Sequence, residues 1–282
     1  GIDLSTSKQA IGLAAGTPVV GGAGDQSAHA IGIGAAQEGI LALTMGTSGV
    51  LIANLDRPLC EPQGRVHLFC SGIPERWHLM GAVLSAGGSL RWFRDLAAPG
   101  TSYDTLLEPA GDVPPGCEGL IFQPNLTGER TPNPDTRSRG GFVGLTIRHS
   151  RAHLLRAILE GCAYGLRDNL EMFRSTGLAK FNEVRISGGG AKSALWRQIL
   201  ADVLEVELVT IRNDEGAAFG AALLAGVGAG VWADVDSACR VVVHCQDKTI
   251  PQPECFPLYR RQFALYREVS RELKEISHSI EE

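Results

Sequence analysis

Three glycine-rich bends carry the residue types that a phosphate or nucleotide needs. In the first, Ile186-Ser187-Gly188-Gly189-Gly190-Ala191-Lys192-Ser193, an apolar stretch ends in three glycines. The helix-forming Ala194-Leu195-Trp196-Arg197-Gln198 follows at once. Backbone without side chains lets a ligand come close, and the free N–H groups of a new helix favour anions. The dinucleotide spacing GxGxxG fails here, because position 191 is alanine and 193 is serine. A P-loop fails too, with Ala191 at a glycine place and Ile186 at the leading one. The second bend, Gly46-Thr47-Ser48, offers hydroxyls and N–H groups suited to phosphate oxygens. The third, Gly22-Ala23-Gly24-Asp25, holds a carboxylate ahead of a small-residue helix. Such a carboxylate can orient a substrate hydroxyl as a general base, a role worth roughly 10²–10⁴-fold in rate. Plainer readings stand beside these. Gly46-Thr47-Ser48 is also an ordinary hairpin turn, and Gly87-Gly88 and the stretch 215–222 are also close helix packing. Asp25 and Ser193 are also helix caps, a cap being worth roughly 1 kcal/mol.

The elements that must position these bends follow from periodicity. Val19-Val20 is expected as a short strand and residues 27–34 as a small apolar helix. Residues 40–54 read as a β-hairpin, with Leu41, Leu43 and Met45 alternating before the turn. Residues 77–81 give a third strand, 86–94 a helix with a glycine-rich start, and 120–122 a buried strand. In 151–174, Leu154, Leu155, Ile158, Leu159, Cys162, Leu166, Leu170 and Phe173 recur at helical spacing, and Gly177 stops the helix. Strands at 184–187 and 208–211 alternate with helices at 194–204 and 217–224, and 257–280 is an amphipathic helix. The pattern predicts an α/β domain with a mixed sheet, whose ligands sit at the carboxyl ends of strands. The bends at 24–25, 46–48 and 188–190 are then expected to meet around one hollow the size of a triphosphate. Residues 215–222 are expected to pack beneath the 188–190 wall.

Composition limits the function classes. The chain has 282 residues and a formal charge of −5, and it lacks any basic run, which argues against nucleic acid. Its 7 cysteines are scattered without a CxxC, as in a reduced, cytoplasmic protein. Neither the cysteines nor the histidines have metal-ligand spacing. The longest apolar run, 217–232, is too short to cross a bilayer comfortably, so no membrane partner is expected.

A longer pattern adds a family. Gly140-Gly141-Phe142-Val143-Gly144-Leu145, then His153-Leu154, then Ala157-Ile158-Leu159-Glu160 resembles the C-terminal signature of the FGGY carbohydrate kinases. The likeness implies an actin/hexokinase-like (ribonuclease H-like) ATPase domain with a mixed sheet flanked by helices. It makes Asp25 the catalytic base and gives the terminal phosphates of ATP to Gly46, Thr47 and Ser48. Gly87 and Arg91 match nucleotide-contacting positions, although related glycerol kinases use glutamine at the place of Arg91. Gly188, Gly189 and Gly190 match the adenosine loop, with Ser193 where an asparagine is common in glycerol kinases. Mg²⁺ would bridge the phosphates, and Arg130 would be a charge near the cleft. Gly128-Glu129-Arg130-Thr131-Pro132, together with Trp196-Arg197-Gln198, resembles the branch that phosphorylates the 5-hydroxyl of D-xylulose. Ribulose, gluconate and glycerol are the alternative acceptors, and a non-catalytic actin-like nucleotide-binding domain is the alternative class. The resemblance divides the chain into 1–36, the last segment of an N-terminal sugar-binding domain, and 37–282, a C-terminal nucleotide-binding domain. It implies that the residues reading the sugar lie upstream of Gly1, and that the chain alone binds ATP weakly or not at all and does not turn over. Apolar surface near residues 28–36 would then be exposed and favour self-association as a homodimer.

Overall fold

A computed structural model describes residues 14, 16–178, 181–212 and 215–280. The hairpin expected at 40–54 is present as β1 (Ile40–Met45) and β2 (Gly49–Leu55). It sits at the centre of a seven-stranded sheet with β3 (His67–Cys70), β4 (Trp77–Val83), β7 (Glu183–Ser187), β8 (Leu208–Ile211) and β9 (Cys245–Thr249), in the order β3-β4-β2-β1-β7-β8-β9. A separate ribbon pairs β5 (Ile121–Gln123) with β6 (Gly141–Val143).

Register explains why the bends gather. β1 runs parallel to β7, with Thr44 opposite Ser187, so the turn after β1 and the glycines after β7 leave the sheet side by side. β2 lies antiparallel to β4, with Gly49 opposite Val83, so β4 ends at the same edge. The chain then enters α2 (Gly87–Ala97), preceded in sequence by α1 (Asp25–Gly32).

Both faces of the sheet are buried, which is why β1 and β2 read as nearly continuous apolar runs. Leu41, Leu43, Leu51, Leu79 and Val83 point to one face, within a large core that includes α4 (Arg151–Ser175), α5 (Ala194–Leu204) and α8 (Phe256–Ser279). Ala42, Val50, Ile52, Met80 and Ala82 point to the other face, against Ala30 and Ile33 of α1. Behind α1 lie α6 (Gly216–Gly228) and α7 (Val235–Val242). A short α3 (Tyr103–Leu107) follows α2. Among the described residues, no helix is long and apolar enough to cross a membrane.

Glu160 of the signature and the adjacent Gly161 are structural. A Cβ on Gly161 of α4 would overlap the carbonyl oxygen of Phe122, so glycine lets α4 lie directly on β5. Glu160 is 1% exposed. Its Oε1 accepts from Arg156 Nε at 2.8 Å, Gly116 N–H at 3.1 Å and the Tyr259 hydroxyl at 3.1 Å. Burial raises the Glu160 carboxyl and Arg156 opposes that rise. This network ties α8 to α4. Losing one member of a buried pair of this kind is strongly destabilising.

Several expectations are corrected. Val19-Val20 forms no strand, and Val19 is 61% exposed. Ala28, Ala30, Ile31, Ile33, Ala35 and Ala36 are at most 3% exposed, so the apolar surface expected near residues 28–36 is covered. The cover is the sheet on one side and α6 on the other. A Cβ on Gly220 would overlap the carbonyl oxygen of Ala28, and one on Gly32 would overlap Gly216, so glycine permits this contact. The close packing read at 215–222 therefore exists, but it supports α1 rather than the 188–190 wall.

Candidate active site

The turn at 46–48 is held by the start of α2. Gly46 N–H donates to Ser48 O at 2.9 Å, closing the turn. Gly87 N–H donates to Gly46 O at 3.0 Å, and Gly88 N–H to Thr47 O at 2.9 Å. A Cβ on Gly87 would overlap the Gly46 oxygen, so helix packing alone requires glycine at 87. Gly46, Thr47 and Gly87 also face a cavity of about 480 Å³. Gly46, Thr47, Gly87 and Arg91 line one part of it, and Gly189, Gly190 and Ser193 line the opposite part. Leu90, Leu107 and Trp196 supply apolar walls, while Tyr103, Asp104 and Lys192 stand at its rim.

Within the 188–190 loop the three glycines have different surroundings. Gly188 has φ +86°, and a Cβ there would sit 2.8 Å from Met45 O. It seats the loop on β1 and does not line the cavity. Gly189 faces open space, the condition for close approach of a flat ligand. A Cβ on Gly190 would stand 3.1 Å from the Trp196 ring. Ser193 caps α5, its hydroxyl accepting from Trp196 N–H at 3.2 Å. Ser193 thus satisfies the plain reading and lines the cavity as well.

Asp25 lies in a second cavity, of about 470 Å³, with Ser48, His78 and Arg130. The single hollow expected from the sequence is therefore two, divided by the turn. The physical reason is that the turn, lying between the end of β1 and the start of β2, presents its successive residues to different sides of the sheet edge. Thr47 opens on the cavity flanked by α2 and α5, and Ser48 on the cavity flanked by α1. Asp25 is the first residue of α1, whose N-cap is Gly24, so Asp25 is not the cap itself. Its Oδ1 accepts from Gln26 N–H at 2.8 Å, and a carboxylate in a helix's first turn is favoured by the helix dipole. α1 is pinned to the sheet by His29 Nε2 and Ser187 Oγ, 2.6 Å apart, and by Gly72 N–H donating to Ser27 Oγ at 2.9 Å.

The second cavity contains residues that sequence patterns missed. His78 is 5% exposed, and burial lowers its pKa. Arg130 Nε approaches His67 Nε2 at 3.4 Å, and burial followed by that guanidinium lowers the His67 pKa. The loop bearing Arg130 is fastened at Glu129, whose N–H donates to Asp135 O at 2.8 Å, and at Thr131. Thr131 Oγ1 accepts from Ala82 N–H at 2.6 Å and donates to Ala82 O at 2.9 Å. Glu129 is pushed up to about 7 by burial and by the neighbouring Asp168 carboxylate. One signal pointed to His78, a polar ring set between apolar residues in the 77–81 strand. Phe69 of β3, which also lines this cavity, had none, because its strand was not recognised.

Comparison with known proteins supplies the family. The FGGY family of carbohydrate kinases, C-terminal domain, matches residues 41–229. A xylulose kinase of Bacillus subtilis (strain 168) is 34% identical over 269 residues, covering 95% of this chain and 54% of that protein. A gluconokinase of Bacillus licheniformis is 34% identical over 277 residues, covering 94% of this chain and 53% of that protein. The crystal structure of a xyloylose kinase from Brucella ovis superposes with a TM-score of 0.88 at 32% identity, covering 96% of this chain and 55% of that one. The chain thus spans about half the length of the relatives it matches. The mixed sheet with helices on both faces is the actin/hexokinase-like fold of these sugar kinases. With the profile match running from β1 through α6 and Glu160 of the signature tying α8 to α4, this chain belongs to the FGGY family of carbohydrate kinases.

Proposed function

We propose that this chain provides the nucleotide-binding lobe and the acceptor-side carboxylate of an ATP-dependent kinase that phosphorylates a ketopentose in the cytoplasm, with D-xylulose as the substrate. In this reading residues 1–36 end an N-terminal sugar-binding lobe and residues 37–282 form the nucleotide-binding lobe. Asp25 accepts the proton of the acceptor hydroxyl as that oxygen attacks the γ-phosphorus of ATP. The bond to the β,γ-bridging oxygen breaks and ADP leaves. Gly46, Thr47 and Ser48 hold the transferring phosphate by N–H groups and hydroxyls. Gly87 and Arg91 flank the phosphate chain. Gly189, Gly190 and Ser193 flank the adenosine, with Gly188 shaping the loop.

Among the described residues, no cluster of three or more His, Cys, Asp or Glu could hold a metal ion. In this reading Mg²⁺ comes in with the nucleotide, since this ion is commonly held by phosphates, waters and one or two carboxylates. Thr47, Ser48 and Asp25 are the donors that would face it. Mg²⁺ would neutralise charge on the phosphates as the γ-phosphoryl group leaves.

The observation that carries this reading is the position of the turn between a nucleotide-sized cavity and the cavity containing Asp25. In-line transfer needs donor and acceptor on opposite sides of the phosphate, and positioning with charge neutralisation dominates the rate. The test is Asp25→Asn in a two-domain protein in which an FGGY N-terminal half precedes this chain. D-xylulose phosphorylation should fall roughly 10²–10⁴-fold with Mg-ADP affinity unchanged. Undiminished turnover would remove Asp25 from this role.

A further inference from the structure

The cavity containing Asp25 has the chemistry of a carbohydrate wall. Phe69, on edge strand β3, is 44% exposed and lines this cavity. Its ring centroid lies 5.8 Å from that of His67 and 5.5 Å from that of His78, so three rings from β3 and β4 form a ledge. An exposed aromatic face beside polar groups suits a ligand that is apolar on its C–H face and polar at its edges.

His78 complements that face. It is 5% exposed, and its Nδ1 is enclosed with no hydrogen-bond partner among the described residues. Its register neighbour Asn54 is engaged at both ends of its amide. Asn54 Nδ2 donates to Ala35 O at 2.6 Å, and its Oδ1 accepts from the Ser71 hydroxyl at 3.0 Å. The fold therefore satisfies one buried polar side chain and leaves the adjacent one unmet, on the wall of a cavity. A buried polar group without a partner is destabilising, and native proteins keep few of them. Ser48 and Arg130 add a hydroxyl and a cation to the same enclosure.

The geometry points to a polyol-binding wall on this chain, with Phe69 covering the C–H face of the acceptor and His78 hydrogen-bonding one of its hydroxyl groups. The inference rests on the kinase reading for the identity of the acceptor. It moves part of sugar recognition from the upstream half into β3 and β4.

The test is a titration of the whole chain, isotope-labelled, with D-xylulose and separately with Mg-ADP, followed by nuclear magnetic resonance. D-xylulose should saturably shift the His78 ring nitrogens and the Phe69 ring signals, and Mg-ADP should shift the amides of Thr47 and Gly189. His78→Phe keeps an aromatic ring in the stack and removes the unmet nitrogen. It should weaken D-xylulose binding about fivefold while the melting temperature holds or rises. Phe69→Ala, at an exposed position, should also weaken the sugar and leave Mg-ADP binding unchanged. The wall is overturned if D-xylulose shifts neither ring up to its solubility limit, or if both variants bind it as tightly as the parent. Failure of Mg-ADP to bind the two-domain protein, in which an FGGY N-terminal half precedes this chain, would sink the kinase reading and leave the polyol wall standing.

Discussion

The two cavities on either side of the 46–48 turn are built from different materials. The side proposed for the nucleotide sets four glycines, Gly46, Gly87, Gly189 and Gly190, among the side chains of Leu90, Arg91, Leu107 and Trp196, with the Ser193 cap also on its lining. The Asp25 side is largely side chain, with Phe69, His78 and Arg130 brought in by an edge strand, a buried strand and a fastened loop. Glycine backbone in a wall suits a ligand shared by many proteins. Side-chain walls can vary from one relative to the next without disturbing the turn. The difference teaches where specificity can change at little structural expense: on the Asp25 side.

The largest effect that sharpens this contrast concerns pH. Glu129 adjoins Arg130 and faces Asp168, with Lys274 nearby, and it is raised from 4.5 to about 7. The folded chain therefore holds a proton that the unfolded chain has lost. Stability from this group is full below about 4.5 and is lost as pH rises through about 7. Glu129→Gln should leave the melting temperature unchanged near the lower pH. Above the upper one it should gain on the order of 3 kcal/mol relative to the parent. Equal melting curves across that window would make the loop insensitive to protonation.

A pair of glycine substitutions comes next. Gly87→Ala drives a methyl into Gly46 O on the nucleotide side, and Gly220→Ala drives one into Ala28 O behind Asp25. Each should destabilise by about 1–3 kcal/mol. Gly87→Ala should weaken Mg-ADP binding, and Gly220→Ala should leave it near the parent value. If calorimetry finds both variants equally poor at binding Mg-ADP, the two sides are not separable. The smallest effect is Ser193→Ala, which removes a cap hydrogen bond and should lower stability by about 1 kcal/mol. Chemical denaturation measures that loss, and no change would mean the cap is idle.

Much of the nucleotide side was legible because its signals are local. The 194–204 helix and the 208–211 strand have the expected ends, and the hairpin follows the Leu41, Leu43, Met45 alternation. Gly188, directly after β7, was readable because its positive φ and its Met45 O contact favour glycine. The Asp25 side was less legible because its signals come from distant parts of the chain. β3 is four residues long and half-buried, without a clear alternation, and β9 is an exposed polar edge. Neither strand exists without its neighbour. Val19-Val20 had strand-forming residues but no partner strand. The split into two cavities could not be read because nothing local says that α1 covers one face and α2 with α5 the other. His78 was visible as a residue, but its unmet nitrogen appears only when the surrounding atoms are known.

Both carbonyl oxygens at the head of the turn are occupied by the first two N–H groups of α2. Helix and turn must then shift as one body, carrying the Arg91 wall and the Ser48 hydroxyl together. A molecule settling on one side thereby alters the fit on the other. Thermodynamic linkage makes that influence equal in both directions, so nucleotide and sugar should each tighten or loosen the other's hold by the same factor.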